Sequence, residues 1–158
     1  MNLRIRFAGV AMIAVFFGCA PTTSLHPPSG WVEMDLPNFV ISIPPDIKPA
    51  YAPGVVSLIS TYMGDSISME VDAGPHSDPL ENAGGGMDYA SHEERIGGRK
   101  ARIASFNFPQ GGRPFEHAMG IYFPRVAEKD VRLTVFAMCK TEANYETIRK
   151  MFRTIRFK

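Results

Sequence analysis

Sequence signatures of catalysis are missing from this 158-residue chain. No serine lies in a G-x-S-x-G elbow, and Gly84-Gly85-Gly86 is not followed by the lysine and hydroxyl residue of a phosphate-binding loop. The segment His92-Glu93-Glu94-Arg95 lacks the second histidine that a zinc-binding HExxH helix needs. Its two adjacent glutamates would point to opposite faces of a strand, which disfavours shared proton transfer. We therefore expect no enzyme activity and no cofactor.

An excess of charge of one sign is missing as well. The chain has 17 basic and 16 acidic residues. Arg4 and Arg6 lie in the N-terminal segment that we interpret below as a leader, and without them 15 basic residues face 16 acidic ones. A nearly neutral domain has no electrostatic reason to bind nucleic acid, so we expect no such partner. The length and the 45% hydrophobic content are ordinary for one globular domain.

A hydrophobic run long enough to span a membrane is also missing. The longest uncharged apolar run is Phe7 to Gly18, about 12 residues, whereas a spanning helix needs about 20. Arg4 and Arg6 precede this run and small residues follow it, which is the layout of a secretory leader. A buried core helix would have a polar side, and this segment has none. The pattern predicts that residues 1–18 are a signal peptide.

The end of this leader resembles a bacterial lipoprotein signal. In that family a small residue precedes an invariant lipidated cysteine, here Gly18-Cys19. The resemblance implies a diacylglyceryl group and an N-acyl chain such as palmitate on Cys19, which would anchor the chain in a membrane of the cell envelope, facing the periplasm. Ala20 replaces the aspartate that commonly signals inner-membrane retention, which favours the outer membrane. The alternative is ordinary cleavage after Ala20 and soluble secretion.

Cysteine is scarce, with one residue besides Cys19. A lipidated Cys19 cannot form a disulfide, and cleavage after Ala20 would remove it, so either outcome leaves Cys139 without a partner. Cys139 follows Leu133, Val135 and Ala137 at alternate positions. This spacing favours a small buried hydrophobe over a reactive thiol.

Residues 19–30 are interpreted as the lipidated cysteine and a flexible tether. The segment after the cysteine, APTTSLHPPSG, contains three prolines and little to bury. At about 3.1 Å per residue, such a proline-extended segment would hold the domain about 30 Å from the lipid. Residues 31–158 are then expected to form a single globular domain.

Alternating apolar residues predict a succession of strands in this domain. The predicted strands are 39–43, 55–63, 67–72, 89–96, 99–108, 115–123 and 131–139. Gly97-Gly98 predicts a tight hairpin because glycine tolerates the positive φ of such turns. The last strands should therefore form an antiparallel meander. Residues 74–88 are the longest break, and their composition favours a mobile surface loop over a functional one.

The C-terminal segment predicts the one clear helix, with Thr141 as its N-cap. Its apolar residues recur at three- and four-residue steps, namely Tyr145, Ile148, Met151, Phe152 and Ile155. This stripe must pack on a sheet face, and the strands between 115 and 139 are the nearest candidates. The predicted fold class is α+β, an antiparallel meander sheet with the helix packed on one face.

This order of elements resembles the Mog/PsbP/DcrB superfamily of small α/β/α sandwich proteins over residues 36–157. The segments that carry the resemblance are FVISIPPDI, ERIGGRKARI and LTVFAMCKTEANYETIRKMFRTIRF. Known members are mostly non-enzymatic. The resemblance therefore implies an accessory or binding role and assigns no functional residue.

Two groups of side chains are candidates for binding. Asp72, His76, Asp78 and Glu81 could bind a hard cation, but their spacing matches no calcium loop, and solvated loop charge is the favoured interpretation. His117 is in register with core positions and is expected to be a hydrogen-bonded core residue. We therefore expect no metal site.

Two functions fit the sequence. The first is a membrane-tethered, non-catalytic accessory or protein-interaction module. The alternative is a small-ligand or lipid-binding lipoprotein whose cavity is lined by aromatic residues such as Phe106, Phe108, Tyr122 and Phe123. A structural core explains these four residues equally well.

Overall fold

The computed structural model describes residues 26–50, 58–82, 84–109, 111, 114–126 and 130–158. This part of the chain contains ten strands and one helix. The elements are β1 (Val32–Asp35), β2 (Phe39–Ile43), β3 (Lys48–Ala50), β4 (Leu58–Met63), β5 (Ile67–Gly74), β6 (Met87–Ile96), β7 (Arg99–Asn107), β8 (His117–Phe123), β9 (Arg132–Cys139), α1 (Asn144–Arg153) and β10 (Arg156–Phe157).

Seven strands form the main sheet, in the order β3-β4-β5-β9-β8-β7-β6. All neighbouring strands in it are antiparallel. The predicted meander is confirmed, because β6, β7, β8 and β9 follow one another both in sequence and in space. A smaller sheet has the order β1-β2-β10 and is antiparallel as well. The predicted α+β class with a C-terminal helix is confirmed.

One face of the main sheet carries the core. Its strands alternate, so that residues such as Met69, Ile121 and Val135 point to this face and are almost completely buried. Helix α1 and the small sheet cover this face together, and the helix contacts β2, β8 and β9. Ile148, Met151 and Phe152 of the predicted apolar stripe have no exposed surface. Each such side chain contributes about 1.5–3 kcal/mol when fully buried, so packing rather than intrinsic propensity holds this short helix.

The ends of α1 depart from the prediction at one residue. Thr141 is not the N-cap: that position is occupied by Ala143, which makes no side-chain capping hydrogen bond. The prediction is wrong because a turn precedes the helix, in which the amide of Asn144 donates to the carbonyl of Thr141 at 3.0 Å. At the other end, the hydroxyl of Thr154 accepts from the amide of Ser42 at 2.8 Å and so joins the helix to β2.

The remaining predictions on strands differ mainly at short elements. The strand predicted at 55–63 is confirmed over 58–63, and residues 55–57 lie outside the described part. Strands β1, β3 and β10 were not predicted, since they are only two to four residues long and mostly exposed. A second helical layer, as in an α/β/α sandwich, is not among the described elements. The second face of the main sheet is covered instead by a segment of the loop between β5 and β6.

The hairpin between β6 and β7 turns at Gly97-Gly98, as predicted. Both glycines have positive φ, +56° and +79°. A Cβ at Gly97 would lie 2.7 Å from the carbonyl oxygen of Ile155, whereas a Cβ at Gly98 would meet no atom within 4 Å. The first glycine thus permits both the turn and the close approach of the segment after α1.

The two glycines provide a matched test of this packing. Gly98→Ala should lower the free energy of unfolding by about 1–2 kcal/mol, the cost of a side chain in the left-handed region. Gly97→Ala should cost more, because the same strain is joined by a clash with a backbone oxygen that has little freedom to shift. Urea unfolding of both variants would measure the difference. Equal destabilisation would contradict the described contact between the hairpin and Ile155.

Candidate binding cleft on the second sheet face

The second face of the main sheet is built from the strand positions that alternate with the core. In one cross-strand row Glu70, Phe136, Gly120 and Ala104 lie side by side. In the next row Asp72, Thr134, Tyr122 and Arg102 are neighbours. Paired residues on adjacent strands share a face, so these side chains form one continuous surface. Gly120 and Ala104 make a shallow depression in it, because they are the smallest residues of their row.

The loop after β5 crosses this face and places Leu80 in the depression. Leu80 is 4% exposed and packs with Ala104, Tyr122 and Phe136. A Cβ at Gly120 would lie 2.6 Å from a Leu80 methyl carbon, so the glycine is required for this close approach. Leu80 has a φ of +53°, a conformation that costs a non-glycine residue about 1–2 kcal/mol. Burial of its side chain offsets that strain.

Hydrogen bonds tie the same segment, residues 75–82, to several strands. Ser77 is 1% exposed, and its hydroxyl accepts from the amide of Gly74 at 3.1 Å and donates to the carbonyl of Asp72 at 3.0 Å. Three strand side chains donate to backbone carbonyls of the segment: Thr134 to Asp78 at 2.6 Å, Arg102 to Pro79 at 3.0 Å, and Tyr89 to Leu80 at 2.7 Å. The sequence favoured a mobile surface loop over residues 74–88. Residues 75–82 of that loop are instead packed on the sheet through the Leu80 side chain and these hydrogen bonds.

Beside residues 75–82, over β5, β9 and the end of β7, lies a cleft of about 270 Å³. We call it the second-face cleft. Its lining residues come from three places: Glu70, Asp72, Thr134 and Phe136 on β5 and β9; Asp78, Leu80, Asn82 and Gly84 on the loop; and Phe106 and Phe108 at the end of β7. The rings of Phe106 and Phe136 stack at 5.8 Å between centroids, and Phe108 meets Phe106 edge-on at 5.3 Å. One side of the cleft is therefore aromatic.

The other side of the second-face cleft is acidic. Within the described part of the chain, the carboxylates of Glu70, Asp72 and Asp78 form no ion pair. Burial raises the pKa of Asp72 above the ordinary aspartate value; a hydrogen bond from Ser77 opposes this shift, and the charge of Asp78 adds to it. Desolvation is the main cause of this rise in the pKa of Asp72, and the nearby like charge of Asp78 is a smaller one.

The four aromatic residues predicted to line a cavity divide between three places. Phe106 and Phe108 line the second-face cleft. Tyr122 lies on the same face, but it is covered by Leu80. Phe123 has no exposed surface and packs in the core on the opposite face. The prediction is wrong for Phe123 because it points to the opposite side of the sheet from Tyr122. It is wrong for Tyr122 because Leu80 covers this side chain.

The acidic group predicted around the loop is brought together in part. Asp72 and Asp78 meet at the cleft, whereas Glu81 pairs with Arg102 at 3.3 Å and His76 is exposed. Among the described residues, no group of three or more His, Cys, Asp or Glu side chains has an arrangement that could hold a metal ion.

Sequence reasoning missed six of the ten lining residues, three on the loop (Leu80, Asn82 and Gly84) and three on the strands. Glu70, Thr134 and Phe136 occupy positions of β5 and β9 that alternate with the core, where solvent-facing residues are expected. Phe136 is the informative one, since a large aromatic side chain at the outward position of an amphipathic strand signals that something packs or binds there. Thr134 is 4% exposed despite its outward position, because the loop residues 75–82 cover it.

Two single residues were predicted to be structural. His117 is hydrogen-bonded as predicted, with Nδ1 2.8 Å from Oδ1 of Asn107 and its ring edge-on to that of Tyr145, but it is half-buried and is not a core residue. Cys139 has no exposed surface, and burial raises its thiol pKa to about 11. A thiol with this pKa is almost entirely protonated at neutral pH, which makes it inert.

Glu93 and Glu94 lie on opposite faces of β6, as the strand pattern predicts. Glu93 pairs with Lys100 at 2.8 Å, and Glu94 pairs with Arg153 of α1 at 3.2 Å. Each carboxylate therefore has its own basic partner.

Cys19 lies outside the described residues. No helix in the described part of the chain is both long enough and apolar enough to cross a bilayer. Comparison with known proteins adds no relative: no protein-family model matches the chain, and neither does any curated protein.

A double-mutant cycle tests the packing of Leu80 against Gly120. Leu80→Ala should lower the free energy of unfolding by about 2–3 kcal/mol. This value is near the lower limit for a buried leucine because Leu80 packs on the outer face of the sheet and not in the core. Gly120→Ala should also destabilise, by about 1–3 kcal/mol, because its methyl group overlaps the leucine side chain.

The double variant should be more stable than the sum of the two single effects predicts, since Leu80→Ala removes the atoms that Gly120→Ala meets. Urea unfolding of all four proteins measures this coupling. Strict additivity would contradict the contact.

Proposed function

We propose that this chain is a lipid-anchored, non-catalytic binding module of the bacterial cell envelope that faces the periplasm, with Ala20 favouring the outer membrane over the inner one. The observation that carries the proposal is the second face of the main sheet. It is covered by a loop that leaves an open cleft with aromatic and acidic sides. A tether after Cys19 would present such a face at a fixed distance from the lipid.

The anchor is supported by the order of segments in the sequence. Arg4 and Arg6, the apolar run, Gly18-Cys19 and the proline-containing tether follow one another, and the described domain begins after them. A single acyl chain gives marginal membrane binding, whereas each buried methylene adds about 0.8 kcal/mol. A diacylglyceryl group with an N-acyl chain would therefore hold the domain at the membrane surface.

The relation to the Mog/PsbP/DcrB superfamily belongs to the same proposal. Two features support it: the main sheet is antiparallel, and its last strand in sequence, β9, is followed by a packed C-terminal helix. An accessory role, as in most of that superfamily, would fit a domain whose second sheet face is available for contact.

The anchor can be tested by fractionation of cells that produce the full-length chain. Cys19→Ser should move the protein from the membrane fraction to the soluble fraction, because the thioether to the lipid cannot form. Cys139→Ala is the matched control: it removes the other, buried cysteine and should leave the protein in the membrane fraction. Retention of Cys19→Ser in membranes would contradict the lipid anchor, as would a soluble wild-type protein.

A protein partner of the second face can be tested with photocrosslinking side chains. Ile59 and Met63 are 40% and 46% exposed on β4, at positions in register with Asp72 and Ser68 of the second face. Val32, 47% exposed on β1 of the small sheet, is the control. A probe at Ile59 or Met63 should give one discrete crosslinked product in intact cells that a probe at Val32 does not give. Identical patterns from both faces would contradict a second-face partner.

The second-face cleft favours a second candidate function, the binding of a small ligand. Pockets for drug-sized ligands have volumes of about 300–1,000 Å³, so this cleft suits a smaller molecule. Native mass spectrometry of the protein extracted from membranes would reveal a bound molecule as a defined added mass. A protein that carries no added mass after gentle extraction would speak against this candidate.

A further inference from the structure

We propose that the second-face cleft binds a small organic cation that carries its own apolar surface, such as a substituted ammonium ion. This inference rests on the second candidate function and names the chemical class of its ligand. It is carried by the juxtaposition of an aromatic side and an unpaired acidic side around one small volume.

The aromatic side supplies a surface for the apolar part and for the charge. Phe106, Phe136 and Phe108 all line the cleft, and the first two are stacked with an angle of 27° between their planes. The face of an aromatic ring carries partial negative charge and attracts a cation that lies within about 6 Å of its centroid. Phe106 is 6% exposed and stacked on Phe136, so the ring surface open to a ligand comes mainly from the half-buried Phe108 and Phe136. Such ring surface beside the cleft favours a weakly hydrated positively charged group, which describes an alkylated ammonium ion.

The acidic side selects the sign of the charge. Glu70, Asp72 and Asp78 line the cleft without an ion-pair partner in the described part of the chain, and no described lining residue is basic. Arg102, the basic residue next to Tyr122 on this face, donates hydrogen bonds to Glu81 and to the carbonyl of Pro79. An anion would meet uncompensated repulsion. A neutral molecule without hydrogen-bond donors would remove water from the carboxylates and return nothing for the lost hydration.

The same chemistry argues for an organic ion rather than a metal ion. Calcium takes six to eight oxygen ligands, and magnesium requires six in octahedral geometry. The described residues hold no group of side chains with such an arrangement, and the phenylalanine side of the cleft has no oxygen to offer. A volume of about 270 Å³ suits an ion between the size of choline and one with about a dozen non-hydrogen atoms.

The charge pattern also distinguishes a free cation from a lipid headgroup. A phosphocholine or phosphoethanolamine headgroup carries a phosphate next to its ammonium group. In this cleft that phosphate would lie near three carboxylates. The ligand we propose therefore has no anionic group beside its cationic one.

The test compares choline with 3,3-dimethylbutan-1-ol, in which a carbon atom replaces the charged nitrogen and the shape is kept. Binding to the full-length chain, purified in a non-ionic detergent, is measured by calorimetry or by ligand-observed NMR. We expect choline to bind at least ten-fold more tightly than the neutral isostere, and glycerophosphocholine to bind more weakly than choline. Equal binding of choline and the isostere, no binding of either, or tighter binding of glycerophosphocholine would overturn the proposal.

Variants locate the site. Glu70→Gln changes an exposed side chain and keeps its shape, so it should fold normally and weaken choline binding several-fold. Phe136→Leu should weaken it as well, through loss of the ring. Glu93→Gln is the control, because this exposed carboxylate lies on β6 outside the cleft and is paired with Lys100. Equal effects of Glu70→Gln and Glu93→Gln would overturn the assignment of the site.

Failure of this proposal and failure of the proposed function give different results. A co-purified molecule that proves to be neutral or anionic would contradict the ligand class and leave the small-ligand function in place. Fractionation of Cys19→Ser and crosslinking through β4 test the tethered module without reference to the cleft.

Discussion

The contact between Leu80 and Gly120 is the interaction on which the second face of the main sheet depends. A sheet has two faces, and in this chain the helix and the small sheet cover one of them. The other would expose Phe136, Tyr122 and Phe106 to water if nothing crossed it. Leu80 packs closely against Gly120 because the glycine has no Cβ. This contact positions the rest of residues 75–82 on the sheet. The cleft is the space that this segment leaves uncovered.

The two faces are stabilised in different ways. On the core face, large apolar side chains interlock between the sheet, α1 and β2, and the energy comes from removal of apolar surface from water. On the second face one leucine, buried in a strained backbone conformation, is supplemented by hydrogen bonds from Thr134, Tyr89 and Arg102. Such a layer buries little, and within the described part of the chain it leaves the carboxylates of Glu70, Asp72 and Asp78 without an ion pair. Limited stabilisation next to incompletely compensated charge is typical of binding surfaces.

Sequence reasoning predicted the parts of the fold that a local pattern determines. The alternation in β5 and β9, the Gly97-Gly98 turn and the stripe of α1 each follow from a few neighbouring residues, and all three are confirmed. The cleft could not be predicted in the same way. Leu80 lies in a stretch with no periodicity, and its partners Gly120 and Phe136 are distant in sequence and come together only through the order of the strands. Phe106 comes to the cleft through the same non-local pairing, whereas the exclusion of Phe123 follows from the local alternation of side chains along β8.

The packing of Leu80 against Gly120 and Phe136 can be observed directly by NMR of the isotope-labelled full-length chain in detergent. The account predicts nuclear Overhauser effects from the methyl groups of Leu80 to the α-protons of Gly120 and to the ring of Phe136. It also predicts methyl chemical shifts displaced by the neighbouring rings. Methyl signals of Leu80 at unstructured positions, with no cross-peak to Gly120, would contradict it, and both the crossing segment and the cleft would then have to be abandoned.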